Sequence, residues 1–189
     1  MGCDNAVLIS HQAFAGSDTH ATSYVVSKAI QKLAPFDLVL AGERATDGDT
    51  AQVGPGIAAF LRLPLSTYTS RIIAIEGDRI TVERLVDTGY EGLKLPVPCL
   101  LTVVKEISFP RLPTLRGKQR ARTVEIPVWG PEDIDVEEKF LGLKGSPTRV
   151  TKITKPKIIR KGKIVKVDED GIALAARELA DFLEEKNLL

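Results

Sequence analysis

A polar, glycine-containing loop between an apolar run and an amphipathic stretch most constrains how this chain can fold. The run Phe36–Ala41 is short, apolar and β-capable, whereas residues 51–61 carry apolar side chains at helical spacing. The loop therefore links a buried-type strand to a helix, which is the place where α/β proteins hold phosphate groups. From residue 41 to residue 55 it reads Ala-Gly-Glu-Arg-Ala-Thr-Asp-Gly-Asp-Thr-Ala-Gln-Val-Gly-Pro.

The loop has the residue types that a backbone anion site needs. Gly42 and Gly48 are predicted to allow tight turns, and Asp49 or Thr50 is predicted to cap the following helix. Unpaired N–H groups at the helix start, together with the helix dipole, then favour an anionic group such as a diphosphate. Arg44 supplies a further charged donor.

Two carboxylates leave a second interpretation open. Asp47 and Asp49 would repel a phosphate if they faced it, so at least one of them is assigned to capping or to ribose hydroxyls. The loop also lacks the GxGxxG and GxxxxGK(S/T) fingerprints of known phosphate-binding loops. An ordinary, well-capped connection between strand and helix is therefore the alternative.

Composition limits the class of protein. With 43% hydrophobic and 27% charged residues, the chain of 189 residues can form one domain with a real core and an appendage. Its net charge of +1 gives no general attraction to nucleic acid or to an acidic membrane surface. Since no membrane-spanning apolar run or signal peptide is visible, we expect a soluble, cytoplasmic protein. Cys3 and Cys99 are expected to stay reduced, with Cys99 buried in a strand.

Two kinds of connection follow each other along the first half of the chain. Alternation of strand and helix predicts parallel α/β structure, with strands at Ala6–Ile9 and Phe36–Ala41 and helices at His20–Ala34 and Ala51–Leu61. Short links then predict an antiparallel set of hairpins, built from strands at Ser66–Ile75, Arg79–Val86, Tyr90–Leu95 and Cys99–Val104. Both halves are compatible with one mixed sheet.

The chain changes character after Pro110. It becomes basic and proline-rich, and residues 129–157 are interpreted as an extended arm because few strong elements can be predicted there. This change divides the chain into an α/β domain over residues 1–126 and a C-terminal arm with a terminal helix over residues 127–189.

Two elements are predicted within the arm. Residues 158–167 are predicted to form a hairpin. Residues 171–186 have the pattern of an amphipathic helix, and their apolar stripe includes Ile172, Leu179 and Leu183.

The segment 109–122 combines five cationic side chains with no acidic one. It could bind nucleic acid, but single-strand binders interleave aromatic side chains for base stacking, and none follows Phe109 here. A solvated loop is the plain alternative. Leu112 and Leu115, which lie among prolines and beside cations such as Arg116, instead indicate an apolar anchor on a stiff loop, suited to docking onto acidic partner proteins.

Several motifs occur together in an order that is typical of one family. They are the loop 42–54, Val-Glu-Arg at 82–84, Pro-Arg-Leu-Pro-Thr-Leu-Arg-Gly-Lys at 110–118, Ala-Arg-Thr-Val-Glu-Ile at 121–126 and Gly-Leu-Lys-Gly-Ser-Pro-Thr at 142–148. Over nearly its whole length the chain thus resembles the electron transfer flavoprotein β subunit, the FixA-like family. The resemblance implies an adenine-nucleotide-binding, Rossmann-like three-layer α/β domain with a mixed sheet.

The resemblance also implies partners and cofactors. A β subunit of this family pairs with an α subunit that carries FAD, and the heterodimer carries electrons between dehydrogenases and an acceptor. The β subunit itself holds AMP in the common carrier type and a second FAD in the electron-bifurcating type. In the latter, the flavin takes an electron pair from NADH and sends single electrons to two acceptors. Residues 47–55 and 145–148 are more similar to the bifurcating type, which favours FAD over AMP.

The functional positions of the family can be matched residue by residue. Cofactor-binding positions match Gly42, Arg44, Ala45, Thr46, Asp47, Gly48, Asp49, Thr50, Ala51, Gln52, Val53 and Gly54, among which Thr50, Gln52 and Val53 hold the diphosphate. Partner-binding positions match Leu112, Leu115 and Arg116, with Leu115 as the anchoring side chain. No catalytic residue and no metal ligand is implied, and His11 and His20 lack metal-ligand spacing.

Two departures from the family pattern matter. A full-length β subunit has a segment before the position matched by Met1, including the first strand and part of the adenine-side pocket, so the loop is expected to be half of a site. Leu85 stands where some carrier-type members have an acidic residue. A stand-alone adenine-nucleotide-binding regulatory module, or a structural partner whose loop stays empty, is therefore the alternative.

Overall fold

The computed structural model describes residues 1–154, 164–165 and 171–188, and the chain falls into two units, Met1–Val150 and Thr151–Leu189. The described residues form seven strands and five α-helices. The strands are β1 (Leu8–Ile9), β2 (Leu38–Gly42), β3 (Leu65–Glu76), β4 (Arg79–Val86), β5 (Gly89–Pro96), β6 (Cys99–Val103) and β7 (Val128–Trp129). The helices are α1 (Thr19–Lys32), α2 (Val53–Leu61), α3 (Leu115–Thr123), α4 (Gly142–Gly145) and α5 (Ile172–Glu185).

Five strands form one mixed sheet in the order β2-β6-β3-β4-β5. The strands β2, β6 and β3 are parallel, whereas β4 runs antiparallel to both β3 and β5. The predicted mixed sheet is therefore confirmed, as are the two hairpins that join β3, β4 and β5. The predicted hairpin between β5 and β6 is wrong, because β6 lies between β2 and β3. A strand of nearly continuous apolar character is stable there, since both of its faces are covered.

The short strand β1 lies outside this sheet. Leu8 and Ile9 pair in parallel with Val128 and Trp129, which forms a separate sheet of two strands. The predicted strand at residues 6–9 therefore exists in a shorter form, but its expected place in the α/β sheet is wrong. Its partner lies far away along the chain, so the local sequence pattern carried no information about the pairing.

The central strand β6 packs with different elements on its two faces. Leu100 clusters with Ile57 and Ala58 of α2, while Cys99 and Leu101 cluster with side chains of β4 and β5. Cys99 is fully buried, as predicted, and burial raises the pKa of its thiol. Helix α1 packs along α2. The start of α2 is therefore held between β6 and α1.

Residues 129–141 pack against α1 and do not extend away from it. Tyr24 of α1 shares a buried cluster with Ile134 and Leu141. The interpretation of this part of the chain as an extended arm is therefore wrong. Its apolar residues are spaced irregularly, which hides them from a periodicity search, yet they still cover one face of a helix.

The basic segment contains a helix where the sequence was expected to form a stiff loop. Helix α3 begins after Thr114, whose hydroxyl accepts a hydrogen bond from the N–H of Gly117 at 3.0 Å and so caps the first turn. Pro110 and Pro113 both precede the helix, where they interrupt no helical hydrogen bond. The Arg120 guanidinium, in the last turn, donates to the carbonyl oxygen of Asp4 at 2.8 Å.

In the second unit, α5 confirms the predicted C-terminal helix. The unit begins after Val150, later than the predicted boundary at residue 126, because the residues between these positions belong to the first unit. The predicted hairpin at residues 158–167 lies, apart from residues 164–165, outside the part of the chain that the structure describes.

Candidate functional site

The loop that was predicted to hold a phosphate lies between the carboxyl end of β2 and the start of α2. Strand β2 ends at Gly42 and α2 begins at Val53, so the predicted unit of strand, loop and helix is present. Because β2 and β6 are parallel, their carboxyl ends meet at the same edge of the sheet, where α/β proteins bind ligands. An open cleft of about 330 Å³ beside the loop is lined by Glu43, Arg44, Ala45, Thr46 and Asp49.

The predicted cofactor positions lie on this one segment. Arg44 to Thr46 and Asp49 line the cleft. Thr50 to Gln52 connect it to the helix, and Val53 and Gly54 belong to the first turn of α2. These positions are therefore close together because they are consecutive in the sequence.

The charged residues of the loop partly neutralise one another. Nη1 of Arg44 lies 3.1 Å from Oδ1 of Asp49, and its Nε lies 3.4 Å from Oε1 of Glu43. The Asp47 carboxylate accepts a hydrogen bond from the N–H of Gly48 at 2.7 Å. Since the loop carries three carboxylates and one guanidinium, an anion at this loop depends on backbone N–H groups more than on net charge.

One prediction about the local structure of the loop is wrong, whereas the predicted turn at Gly48 is present, with the N–H of Asp49 bonded to the carbonyl oxygen of Ala45 at 3.0 Å. Neither Asp49 nor Thr50 caps α2, because the N-cap is Gln52, whose side chain makes no capping hydrogen bond. The left-handed positions of the loop are Asp49 and Ala51, with φ of 49° and 54°, and not its two glycines. Asp49 is held in this conformation while its carboxylate forms the ion pair within the loop. The first-turn N–H groups of α2 consequently have no side-chain cap, which is the condition for holding an anion.

Two glycines let the first turn of α2 approach its neighbours closely. A Cβ on Gly54 would overlap Cγ2 of Thr102 in β6, and a Cβ on Gly56 would overlap Oγ of Ser23 in α1. Pro55, between them, falls in the first turn, where a helix needs no N–H. The sequence Val-Gly-Pro-Gly therefore fixes the helix start against both β6 and α1.

Two buried hydroxyls stabilise the same region, and no sequence pattern indicated either of them. Oγ of Ser23 lies 2.6 Å from the carbonyl oxygen of Thr19 and 3.1 Å from that of Val53. Oγ1 of Thr102 accepts a hydrogen bond from the N–H of Tyr68 at 3.0 Å, where the pairing of β3 with β6 is irregular. Gly54 and Gly56 in the sequence of α2 could have indicated that other elements approach this helix closely. They could not have shown that the neighbours are Thr102 and Ser23.

The predicted partner-contact residues do not line the cleft. Leu112 and Leu115 are 89% and 86% exposed, and Arg116 follows at the start of α3. Phe109 is exposed as well. Helix α3 carries four cations and no acidic residue. These residues combine exposed apolar side chains with cations that are near them in sequence, and their role in partner docking stays a prediction.

A larger cleft, of about 770 Å³, lies at the start of α1. There the Asp18 carboxylate accepts hydrogen bonds from the N–H of Ala21 at 3.0 Å and from the N–H and hydroxyl of Thr148 at 2.9 and 2.8 Å. Burial raises the pKa of Asp18, but these hydrogen bonds outweigh it and hold the pKa below its ordinary value. Because Asp18 has its partners within the chain, this cleft is a weaker candidate for a ligand site than the smaller one at the loop.

These features define a mixed α/β protein with a strand, loop and helix of nucleotide-site type at the carboxyl edge of its parallel strands. Residues 1–134 match the electron transfer flavoprotein domain. The chain is 42% identical to the electron transfer flavoprotein subunit beta of Thermoanaerobacterium thermosaccharolyticum, over 100% of this chain and 71% of that protein. It is 40% identical to the caffeyl-CoA reductase-Etf complex subunit CarD of Acetobacterium woodii, over 100% of this chain and 71% of that protein. It is 43% identical to the protein FixA of Azotobacter vinelandii, over 99% of this chain and 70% of that protein.

The chain therefore belongs to the electron transfer flavoprotein family, as a homologue of its β subunits and FixA proteins. The resemblance that the sequence motifs indicated is thus confirmed, and with it the α/β fold class. Membership associates the chain with flavoproteins and with electron transfer. In the described part of the chain, no helix has both the length and the apolar character needed to cross a membrane.

Proposed function

We propose that this chain is the β subunit of an electron transfer flavoprotein and holds an adenine nucleotide at the loop from Gly42 to Gly54. It pairs with an α subunit that carries FAD, and the heterodimer carries electrons between dehydrogenases and an acceptor in the cytoplasm. The observation that carries this proposal is homology over the whole chain to β subunits, combined with an intact strand–loop–helix unit at the matched positions.

The residues of the loop fit the phosphate portion of such a nucleotide. Val53 and Gly54 open α2 with N–H groups that lack a side-chain cap, and Arg44 adds a cation. The cleft of about 330 Å³ lies at the lower end of the range for ligand pockets, so it suits the phosphates and adjoining sugar better than a whole dinucleotide. Bound FAD would supply redox chemistry, whereas this chain's residues bind and orient the nucleotide.

We favour FAD over AMP as that nucleotide, because residues 47–55 and 145–148 are similar to the electron-bifurcating type. The names of two relatives support a partner class. One is a subunit of a caffeyl-CoA reductase-Etf complex, and the other is an electron transfer subunit of acryloyl-CoA reductase from Anaerotignum propionicum. Enzymes that act on acyl-CoA substrates are therefore the proposed dehydrogenase partners.

Denaturing extraction of the purified α–β complex, followed by mass spectrometry and flavin quantification, tests the proposal. We expect about two FAD molecules per heterodimer. One FAD and one AMP would retain the nucleotide site and overturn the choice of FAD. One FAD without any second adenine nucleotide would contradict the site and support a structural partner with an empty loop. A chain that binds AMP without pairing with an α subunit would instead support the regulatory-module alternative.

A further inference from the structure

We infer that Ser23 is a positioning residue for the nucleotide site, because its buried hydroxyl fixes the peptide bond between Val53 and Gly54 and so aims the Gly54 N–H at the bound phosphate. The inference rests on the proposed function, since it concerns the same site. Ser23 lies on α1 and is not among the loop positions matched to the family. Its role follows from the contact that α1 makes with the first turn of α2.

The Ser23 hydroxyl joins two helices. Its hydrogen is shared between the carbonyl oxygen of Thr19, 2.6 Å from Oγ, and that of Val53, 3.1 Å from Oγ. The bond to Thr19 is the local back-bond that serine often makes within a helix. The bond to Val53 crosses to α2 at its first residue. Ser23 is 1% exposed, so water does not compete for this contact.

The planarity of the peptide bond carries this contact to the loop side of α2. In a trans peptide, the C=O of one residue and the N–H of the next point in opposite directions. When Ser23 holds the Val53 carbonyl, the Gly54 N–H is therefore directed away from Ser23, toward the N-terminal end of the helix and the loop.

Few donors are available in this turn, so the orientation of each one matters. Pro55 has no N–H, and the N–H of Gly56 is already bonded to the carbonyl oxygen of Gln52 at 2.9 Å. The N–H groups of Val53 and Gly54 are thus the first-turn donors of α2 that can face an anion. A loosened Val53–Gly54 peptide would weaken a large share of the phosphate contact.

Gly56 and Ser27 provide the comparisons that a test needs. A Cβ on Gly56 would overlap Oγ of Ser23. Glycine at position 56 therefore leaves the room that the Ser23 hydroxyl needs to reach α2. Ser27, one turn later on α1, is also buried, at 2% exposure, and its hydroxyl donates to the carbonyl oxygen of Tyr24 in its own helix at 2.7 Å. Replacing Ser27 by alanine therefore removes a buried hydroxyl whose hydrogen bond stays within α1.

The test compares Ser23→Ala with Ser27→Ala in the complex of the full chain with its α subunit. FAD and AMP are each titrated into the nucleotide-stripped complexes, and urea unfolding measures the stability of each variant. We expect Ser23→Ala to raise the nucleotide Kd about five- to tenfold, the effect of one lost hydrogen bond. Ser27→Ala should change the Kd less than about twofold. The two variants should lower the stability against urea by similar amounts, because each loses one buried hydroxyl.

A second variant and a separate readout keep the outcome clear. Gly56→Ala keeps the hydroxyl but pushes Ser23 away from α2, so it should raise the Kd in the same direction, and amide exchange at Gly54 should be faster in both variants than in Ser27→Ala. Equal Kd values for Ser23→Ala and Ser27→Ala would overturn the role of Ser23 while leaving the loop site in place. Failure of the unmodified complex to bind either nucleotide would overturn the proposed function itself.

Discussion

At the scale of single residues, Gly54 decides how closely α2 approaches the sheet. The space that a side chain on residue 54 would need is occupied by Cγ2 of Thr102. Thr102 is buried, and its hydroxyl is already engaged by the N–H of Tyr68. The methyl group therefore cannot rotate away without breaking that hydrogen bond, and a Cβ at position 54 would overpack the contact.

Gly54→Ala is expected to lower the free energy of unfolding by about 1–3 kcal/mol, the usual cost of overpacking a core. Thr102→Ser removes the overlapping methyl group and keeps the hydroxyl, so the double variant should recover most of that loss. Urea unfolding of the unmodified protein, the two single variants and the double variant gives a double-mutant cycle. Additive losses in the double variant would show that this packing contact does not limit the position.

Asp18 makes the attachment of Thr148 to α1 depend on pH. Because the folded-state pKa of Asp18 is lowered, its stabilising effect is present above the ordinary value of 3.8 and is lost as the pH falls through the lowered pKa. Below about pH 4, the stability of the unmodified protein should therefore fall more steeply than that of Asp18→Asn. Asp87→Asn, at an exposed turn, is the control and should keep the steep fall. Parallel acid denaturation curves for the unmodified protein and Asp18→Asn would refute the linkage.

At the scale of elements, α3 is the proposed docking helix. Its first residue, Leu115, is exposed, as is Leu112 three residues earlier, and the charged side chains of the helix are all cationic. An exposed apolar anchor with a basic surround suits a partner that offers an apolar pocket with an acidic rim.

Leu115→Ala should raise the KM for the partner dehydrogenase at least tenfold, since a buried anchor contributes about 2 kcal/mol or more to an interface. Leu33→Ala, which truncates another exposed leucine at the end of α1, is the control and should leave the KM unchanged. Increasing salt should also raise the KM of the unmodified protein, because cations on α3 steer the encounter. Steady-state electron transfer assays measure both effects. An unchanged KM in Leu115→Ala would remove α3 from the partner surface.

The elements that the sequence predicted well are those whose signal is local. Helices α1, α2 and α5 and the strands β3, β4 and β5 follow from periodicity and short turns. The position of β6 and the partner of β1 depend on pairing between distant segments, which no local pattern contains. Helix α3 was missed because proline and charge masked a short helix with a threonine cap.

The candidate site shows the same division between local and distant information. The loop from Gly42 to Gly54 was predicted in the correct place because strand and helix flank it directly. Its capping was predicted wrongly, since the ion pair within the loop takes Asp49 away from the helix start. Ser23 and Thr102 could not be predicted, because their contacts with α2 exist only in the folded chain.

At the scale of the whole molecule, the first unit carries both proposed sites on different segments. The loop between β2 and α2 is the proposed nucleotide site, and α3 with the residues before it is the proposed partner surface. Substitutions at one site should therefore leave the other intact. This separation allows nucleotide content and partner recognition to be measured independently in the same complex.

The nucleotide content of purified α–β complexes tests most directly whether the loop is the site. Arg44→Gln removes the cation of the loop and leaves Glu43 and Asp49 unneutralised, so nucleotide affinity should fall about 10- to 100-fold. Arg71→Gln is the matched control, because Arg71 also forms an exposed ion pair, 3.2 Å from Glu83, but lies on β3. After gel filtration, Arg44→Gln should have lost the nucleotide of the β subunit, whereas Arg71→Gln should retain it. Equal retention in the two variants would contradict the assignment of the nucleotide to this loop.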